Sequence, residues 1–285
     1  MSKRVVVSSN CQTGGIAVSL QRLLPEWTVE AVPVTSLSED HRAQIASADC
    51  WVTTGRHDLA GQSAGAAAAT RIIRIPEIYF PAFHPDLVYI SKISTGWAPI
   101  VPHYNSGIIA WAFVNGLDPI EVPPLFNSRN FAALGYFSLW DKSVAHLRKV
   151  FANSDLDFAA FFLPVKRNGN FMHTINHPKI ETLQQLARLC ARRMGGDDTV
   201  MEKFIHVPDA LNDNIWPLYP ELAHHYSLSG DYNWLVQNGG YCDGLATYIH
   251  FAYNRYLDFG LTKGDVVFST PVELYDDVLG KALRG

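Results

Sequence analysis

Cys11 follows the apolar run Val5, Val6 and Val7, sits between Asn10 and Gln12, and is trailed by Gly14 and Gly15. A thiol between a strand end and a helix start meets the positive end of the helix dipole, which favours the thiolate. Asn10 and Gln12 carry amide donors for a developing oxyanion, and the two glycines let backbone approach a ligand closely. A nucleophilic thiol also needs a base, usually histidine, and often a group to orient it. His84, in a loop after a strand, has Asp86 two positions on, and residues two apart on extended chain face the same way. The candidate catalytic set is therefore Cys11, His84 and Asp86. A plainer reading stands beside each: Cys11 packs under the sheet end, and Asp86 only turns its loop.

His103, Asn105 and Ser106 cluster where a helix is expected to start, a place that binds polar ligand groups but also one that Asn105 would cap. His177 precedes Pro178 and either caps a helix or enters a pocket. Lys166, Arg167 and Lys179 are suited to phosphate or to a solvated surface. His206 and Asp209 form a weaker second acid–base pair. His224 and His225 lack a third ligand at metal spacing, so no metal site is expected. Position 17 is alanine where a phosphatase loop starting at Cys11 would need arginine, and no GxGxxG, P-loop or GxSxG pattern occurs.

The elements that must position these groups alternate over the first third of the chain. Residues 4–8, 28–34 and 50–54 read as strands, the last ended by Gly55; residues 15–24, stopped by Pro25, and 39–46 read as helices. This alternation predicts a parallel sheet covered on both faces. Residues 71–90 are β-branched and aromatic but broken by prolines: a strand, a loop centred on His84, then a short strand or turn. A helix is expected from Ser106 to Gly116. Beyond Pro119 the pattern becomes mainly helical, with helices over 179–194, led by Pro178 and ended by Gly195 and Gly196, and over 245–259. A last helix opens at Thr270 to Glu273, which has capping-box spacing. The expected class is α/β, with an N-terminal parallel-sheet subdomain over 1–122 that carries the Cys11 loop and a mainly helical subdomain over 123–285.

Bulk properties narrow the function. The 285 residues are 48% apolar and 18% charged, those of a folded protein with room for a substantial core. A net charge of -4 argues against nucleic-acid binding. Cys11, Cys50, Cys190 and Cys242 form no CxxC pair, which suggests thiols in a reducing compartment. Cys50 and Cys190 sit in apolar patterns and are expected in the core; Cys242 is undecided. The short apolar run near the N-terminus is too small for a signal-peptide core, and no membrane span is expected, so the expected location is cytoplasmic.

Four segments in order carry a resemblance: Asn10-Cys11-Gln12, the stretch from Tyr79 through His84-Pro85-Asp86 to Tyr89, His103-Tyr104-Asn105-Ser106, and Thr174-Ile175-Asn176-His177-Pro178. Together they resemble the WcbI-type polysaccharide biosynthesis enzymes over most of the chain. One departure is Ser9, where many relatives have glycine. The resemblance implies a cradle-shaped α/β-plus-helical fold around a deep pocket for coenzyme A, and acetyl transfer from acetyl-CoA to a sugar of a capsular polysaccharide. Asn10, Gln12, Gly14, Gly15, His103, Asn105, Ser106, Lys166, Arg167 and His177 then become candidate cofactor contacts on the chemistry above. The expected partners are an acyl donor, a saccharide acceptor and a polysaccharide assembly complex. Two rival classes stay open: a cysteine-dependent esterase-like hydrolase, and a non-catalytic CoA- or sugar-binding module.

Overall fold

Val5, Val6 and Val7 have no exposed surface, so the strand they form is covered on both faces, as in a parallel sheet between helical layers. The computed structural model describes residues 2–32, 38–54, 71–96, 98–99 and 103–283. The chain forms two compact units, Met1–Phe80 with Val144–Asn212, and Pro81–Ser143 with Asp213–Gly285. Each unit therefore draws on two separate stretches of sequence.

The first unit starts with β1 (Lys3–Ser8), α1 (Thr13–Leu23), β2 (Trp27–Ala31), α2 (Glu39–Ala46), β3 (Cys50–Thr53) and β4 (Arg71–Arg74). The four strands are parallel in the order β2-β1-β3-β4. Val34 and Gly55, the expected ends of the second and third strands, lie outside the described residues. Val6 packs with Val32, Ile45, Ala48 and Trp51 on one side of the sheet. Trp51 Nε1 donates to Ser8 Oγ at 2.7 Å, which ties β3 to the end of β1.

The second unit's first stretch carries β5 (Leu87–Val88), β6 (Ile90–Lys92), β7 (Ala98–Pro99), β8 (Asn105–Ser106), α3 (Gly107–Val114) and α4 (Ser128–Ala133). Then follow α5 (Leu139–Ala152), α6 (Phe158–Arg167) and α7 (Ile180–Arg193), and finally α8 (Pro220–Tyr226), β9 (Asn233–Val236), β10 (Gly240–Asp243), α9 (Leu245–Asp258), β11 (Val266–Phe268) and α10 (Val272–Ala282). The α/β class with a mainly helical remainder is as the sequence predicts. The hairpin of β9 and β10 and the strand β11 are additions it did not signal.

Several helix ends differ from expectation. Ser106, not Asn105, caps α3: its Oγ accepts from Ile109 N, while Asn105 Nδ2 donates to His103 O. Gly116 ends that helix as predicted, with a φ of 77°. Pro178 does not open α7; it bridges to Met172, and Lys179 is the cap residue. Thr270 and Glu273 form no capping box, since Pro271 occupies the cap position with no side-chain bond.

Gly107 starts α3 beneath Tyr275, and a Cβ built on it would lie 2.6 Å from Tyr275 Cζ and 3.1 Å from Cε1. Tyr275 is itself buried, so its ring has little room to yield. Gly107→Ala should therefore cost roughly 1–3 kcal/mol by overpacking, read as a lower urea midpoint at unchanged slope. An unchanged midpoint would show that the ring moves aside freely.

Candidate functional site

In a parallel sheet, the crevice that accepts ligands opens outside the carboxyl ends of the strands, where the strand order reverses. Here the order β2-β1-β3-β4 places that reversal between β1 and β3. Cys11 lies in the turn that leaves β1, and its side chain is exposed. This removes the packing alternative for its sulfur. Cys50, Cys190 and Cys242 are buried, and burial pushes the Cys50 thiol up to about 12 and the Cys190 thiol up as well.

The turn is built by its neighbours. Asn10 Oδ1 accepts Gln12 N at 2.9 Å, Asn10 O accepts Thr13 N at 3.1 Å and Thr13 Oγ1 at 2.8 Å, and Thr13 Oγ1 accepts Ser9 N at 2.9 Å. Ser9 is fully buried. Asn10 Nδ2 donates to Glu77 Oε1. Gln12 is the cap residue of α1 yet makes no capping bond. Its buried amide instead donates from Nε2 to Ile78 O at 2.8 Å and Asn176 O at 3.1 Å, and accepts Ile78 N at 3.2 Å. Gln12 thus joins the first of the sequence segments singled out above to Asn176 of the fourth, and to Ile78, the residue just before the second.

The two glycines divide their work. Gly15 faces α7, where an added Cβ would meet Leu183 Cδ1 at 2.5 Å, so it serves close helix packing. Gly14 is exposed, and nothing lies within 4 Å of where its side chain would begin.

The segment from Phe171 to Lys179 belongs to the same unit. Ile175 O accepts Phe80 N at 2.8 Å, and His177 N donates to Thr174 Oγ1 at 3.2 Å. His177 is half-buried. Asp209, expected to act with His206, instead pairs with His173: Nε2 and Oδ2 are 2.7 Å apart, and the same oxygen accepts Ile180 N at 3.0 Å. The sequence offered no cue for this pairing because the two residues stand 36 positions apart. Lys166 and Arg167 are exposed in the last turn of α6. Burial lowers the Lys179 ammonium from its usual range.

His84, Asp86, His103, Asn105 and Ser106 belong to the second unit. His84 is buried, with Nδ1 3.3 Å from Pro217 O. Asp86 is wholly buried and accepts hydrogen bonds from Ser106 Oγ, Ile108 N at 3.0 Å, Tyr136 OH at 2.9 Å and Tyr219 OH at 2.9 Å. Burial pushes its carboxyl up to about 6 despite these four donors, which favour the ionised form. Such a carboxylate ties the start of α3 to two buried tyrosines. His103 is exposed, and its carbonyl accepts Asn105 Nδ2 at 3.3 Å.

Among the described residues, no helix is long and apolar enough to cross a membrane. No curated protein matches the chain. A solved structure of WcbI, described as a novel polysaccharide biosynthesis enzyme and as the native protein without a disulfide bond between coenzyme A and one of its cysteines, is similar in fold. It shares 16% identity at a TM-score of 0.72, over 100% of this chain and 96% of that one. A manganese-bound periplasmic metal-binding protein from Candidatus Liberibacter asiaticus shares 11% identity at a TM-score of 0.23, over 91% and 100%, and carries no argument. Residues 4–199 match the family model described as polysaccharide biosynthesis enzyme WcbI. That match spans more than half of the sequence, including the turn at Cys11, and the chain belongs to the WcbI family of polysaccharide biosynthesis enzymes.

Proposed function

We propose that this protein is a coenzyme A-binding O-acetyltransferase that carries an acetyl group from acetyl-CoA to a saccharide hydroxyl in the synthesis of a capsular or other polysaccharide. The observation that carries this reading is the exposed sulfur of Cys11 at the carboxyl end of β1, where the strand order reverses. The open space over Gly14 suits the narrow thiol-bearing arm of the cofactor, and the exposed Lys166 and Arg167 suit its phosphates. The family's role in polysaccharide biosynthesis supplies the acceptor class, and the naming of coenzyme A beside a cysteine in the description of the WcbI structure, which itself lacks the disulfide between them, supports the donor. The work is assigned to the cytoplasm, beside a polysaccharide assembly complex.

In the covalent route, Cys11 Sγ attacks the thioester carbonyl, the bond to the CoA sulfur breaks, and the acceptor hydroxyl then displaces Sγ. The N-terminal end of α1 favours the thiolate that this needs. In the direct route, His84 takes the proton from the hydroxyl as its oxygen attacks the acetyl-CoA carbonyl, the bond to the CoA sulfur breaks, and the proton passes to the departing CoA thiolate, with Asp86, His103, Asn105 and Ser106 in supporting roles.

Intact mass after exposure to acetyl-CoA is expected to show an acetyl adduct that Cys11→Ala lacks, and millimolar CoA should raise the melting temperature. Absence of any CoA shift overturns the reading. A shift without an adduct selects the direct route, in which His84→Ala abolishes transfer while CoA still binds. Acetate release without any sugar acceptor would instead favour the hydrolase.

A further inference from the structure

Between α4 and α10 the second unit holds a cavity of about 410 Å³, within the size range of small-molecule sites. Its walls are pinned on both sides. Asn127 caps α4 by accepting Asn130 N at 2.9 Å, and Trp111 Nε1 on α3 holds α10 by donating to Asp276 Oδ1 at 2.8 Å. Asn130 lines the cavity although only 5% of its surface is exposed. Its Nδ2 donates to Leu125 O at 3.0 Å, which fixes the amide, while its Oδ1 accepts no hydrogen bond from the described residues. An acceptor so deeply set needs a donor from whatever fills the cavity.

Arg129 and Lys281 bring a guanidinium and an ammonium to the same walls, and Asp277 brings a carboxylate 4.0 Å from the ammonium. All three are exposed, so that pair is weak and leaves its members available. Ala133 and Val278 add a small apolar face, and none of the described residues lining the cavity is aromatic. Each group narrows the occupant. Asn130 Oδ1 and Asp277 need hydroxyl donors and disfavour a bare anion, the two cations need an anion, and a nucleobase would find no ring to stack on. We propose that this cavity binds a saccharide carrying an anionic group, with its phosphate or carboxylate held by Arg129 and Lys281 and its hydroxyls by Asn130 and Asp277. The site is built wholly from residues of the second unit and does not depend on the thiol chemistry read for Cys11.

The test is calorimetric titration at low ionic strength with glucose 1-phosphate, glucuronate, glucose and inorganic phosphate. Glucose 1-phosphate or glucuronate should bind at least about fivefold more tightly than either glucose or inorganic phosphate, and the better of the two tells phosphate from carboxylate. Arg129→Gln, at an exposed position, should weaken that binding roughly five- to tenfold while the melting temperature without ligand stays where it is. Three results overturn the proposal: inorganic phosphate or glucose binding as tightly as the anionic sugar, no binding of either anionic sugar at about 10 mM, or an affinity indifferent to Arg129→Gln. Loss of the CoA-induced melting shift in Arg129→Gln would assign the cavity to the cofactor and overturn it as well. Absence of that shift in the native protein, with anionic sugars still bound in an Arg129-dependent way, would sink the acetyltransferase reading and leave this site standing.

Discussion

Asp86→Ala should destabilise the second unit by about 3–5 kcal/mol, a large share of the stability of a typical domain. The variant strips the partner from Ser106 Oγ, Ile108 N, Tyr136 OH and Tyr219 OH at once, all of them buried. An exposed catalytic carboxylate would cost far less to remove, so urea unfolding separates a structural Asp86 from a purely catalytic one. A loss below 1 kcal/mol would show that the tyrosines find other partners.

The same group gives stability an uncommon pH dependence. Its native pKa of about 6 lies above the ordinary 3.8, so between those values the folded state holds a proton that the unfolded state has released. The resulting stabilisation is complete below 3.8 and is lost as the pH rises through 6, by roughly 3 kcal/mol in all. Most carboxylates give the opposite slope. Asp86→Asn cannot ionise, and its unfolding free energy between pH 4 and 6.5 should lack the fall seen in the native protein. Parallel curves would refute the assignment.

The second large effect is expected at Gln12. Its amide lies with no exposed surface between Ile78 and Asn176. Gln12→Ala leaves three backbone groups without this partner and opens a cavity, at a cost of about 2–4 kcal/mol. Gln12→Glu keeps the size and the acceptor for Ile78 N but can no longer donate to the two carbonyls. It should lose a similar amount, while a variant that needed only bulk would not. Because Gln12 also holds the turn after β1, both variants should lose the CoA-induced melting shift along with stability. Retention of that shift in a folded Gln12→Glu protein would mean that the turn keeps its shape without the anchor.

Local patterns made much of the fold legible. Apolar runs set β1 and β3, helical periodicity set α1, α7 and α9, and Pro25 and Gly116 marked helix ends, because each signal acts within a few residues. The place of Cys11 among polar residues at a strand end was legible too, but packing under the sheet stayed an alternative until the fold left the residue exposed. Caps were less so: Ser106 and Asn105 are both good cap residues, and only the start of α3 at Gly107 makes Ser106 the one whose oxygen accepts Ile109 N.

The sequence by itself determined the parallel sheet, the helical remainder and the place of Cys11 between a strand and a helix. Tertiary structure alone decided the rest. Gln12 became an anchor because the chain returns to it 66 and 164 residues later; Asp209 found His173 rather than His206; Asp86 acquired two tyrosines from distant helical segments; and Glu77 was brought to Asn10 across the strand that separates them. The physical reason is that a buried polar side chain must satisfy its hydrogen bonds with whatever the fold places beside it, and which groups those are depends on long-range packing.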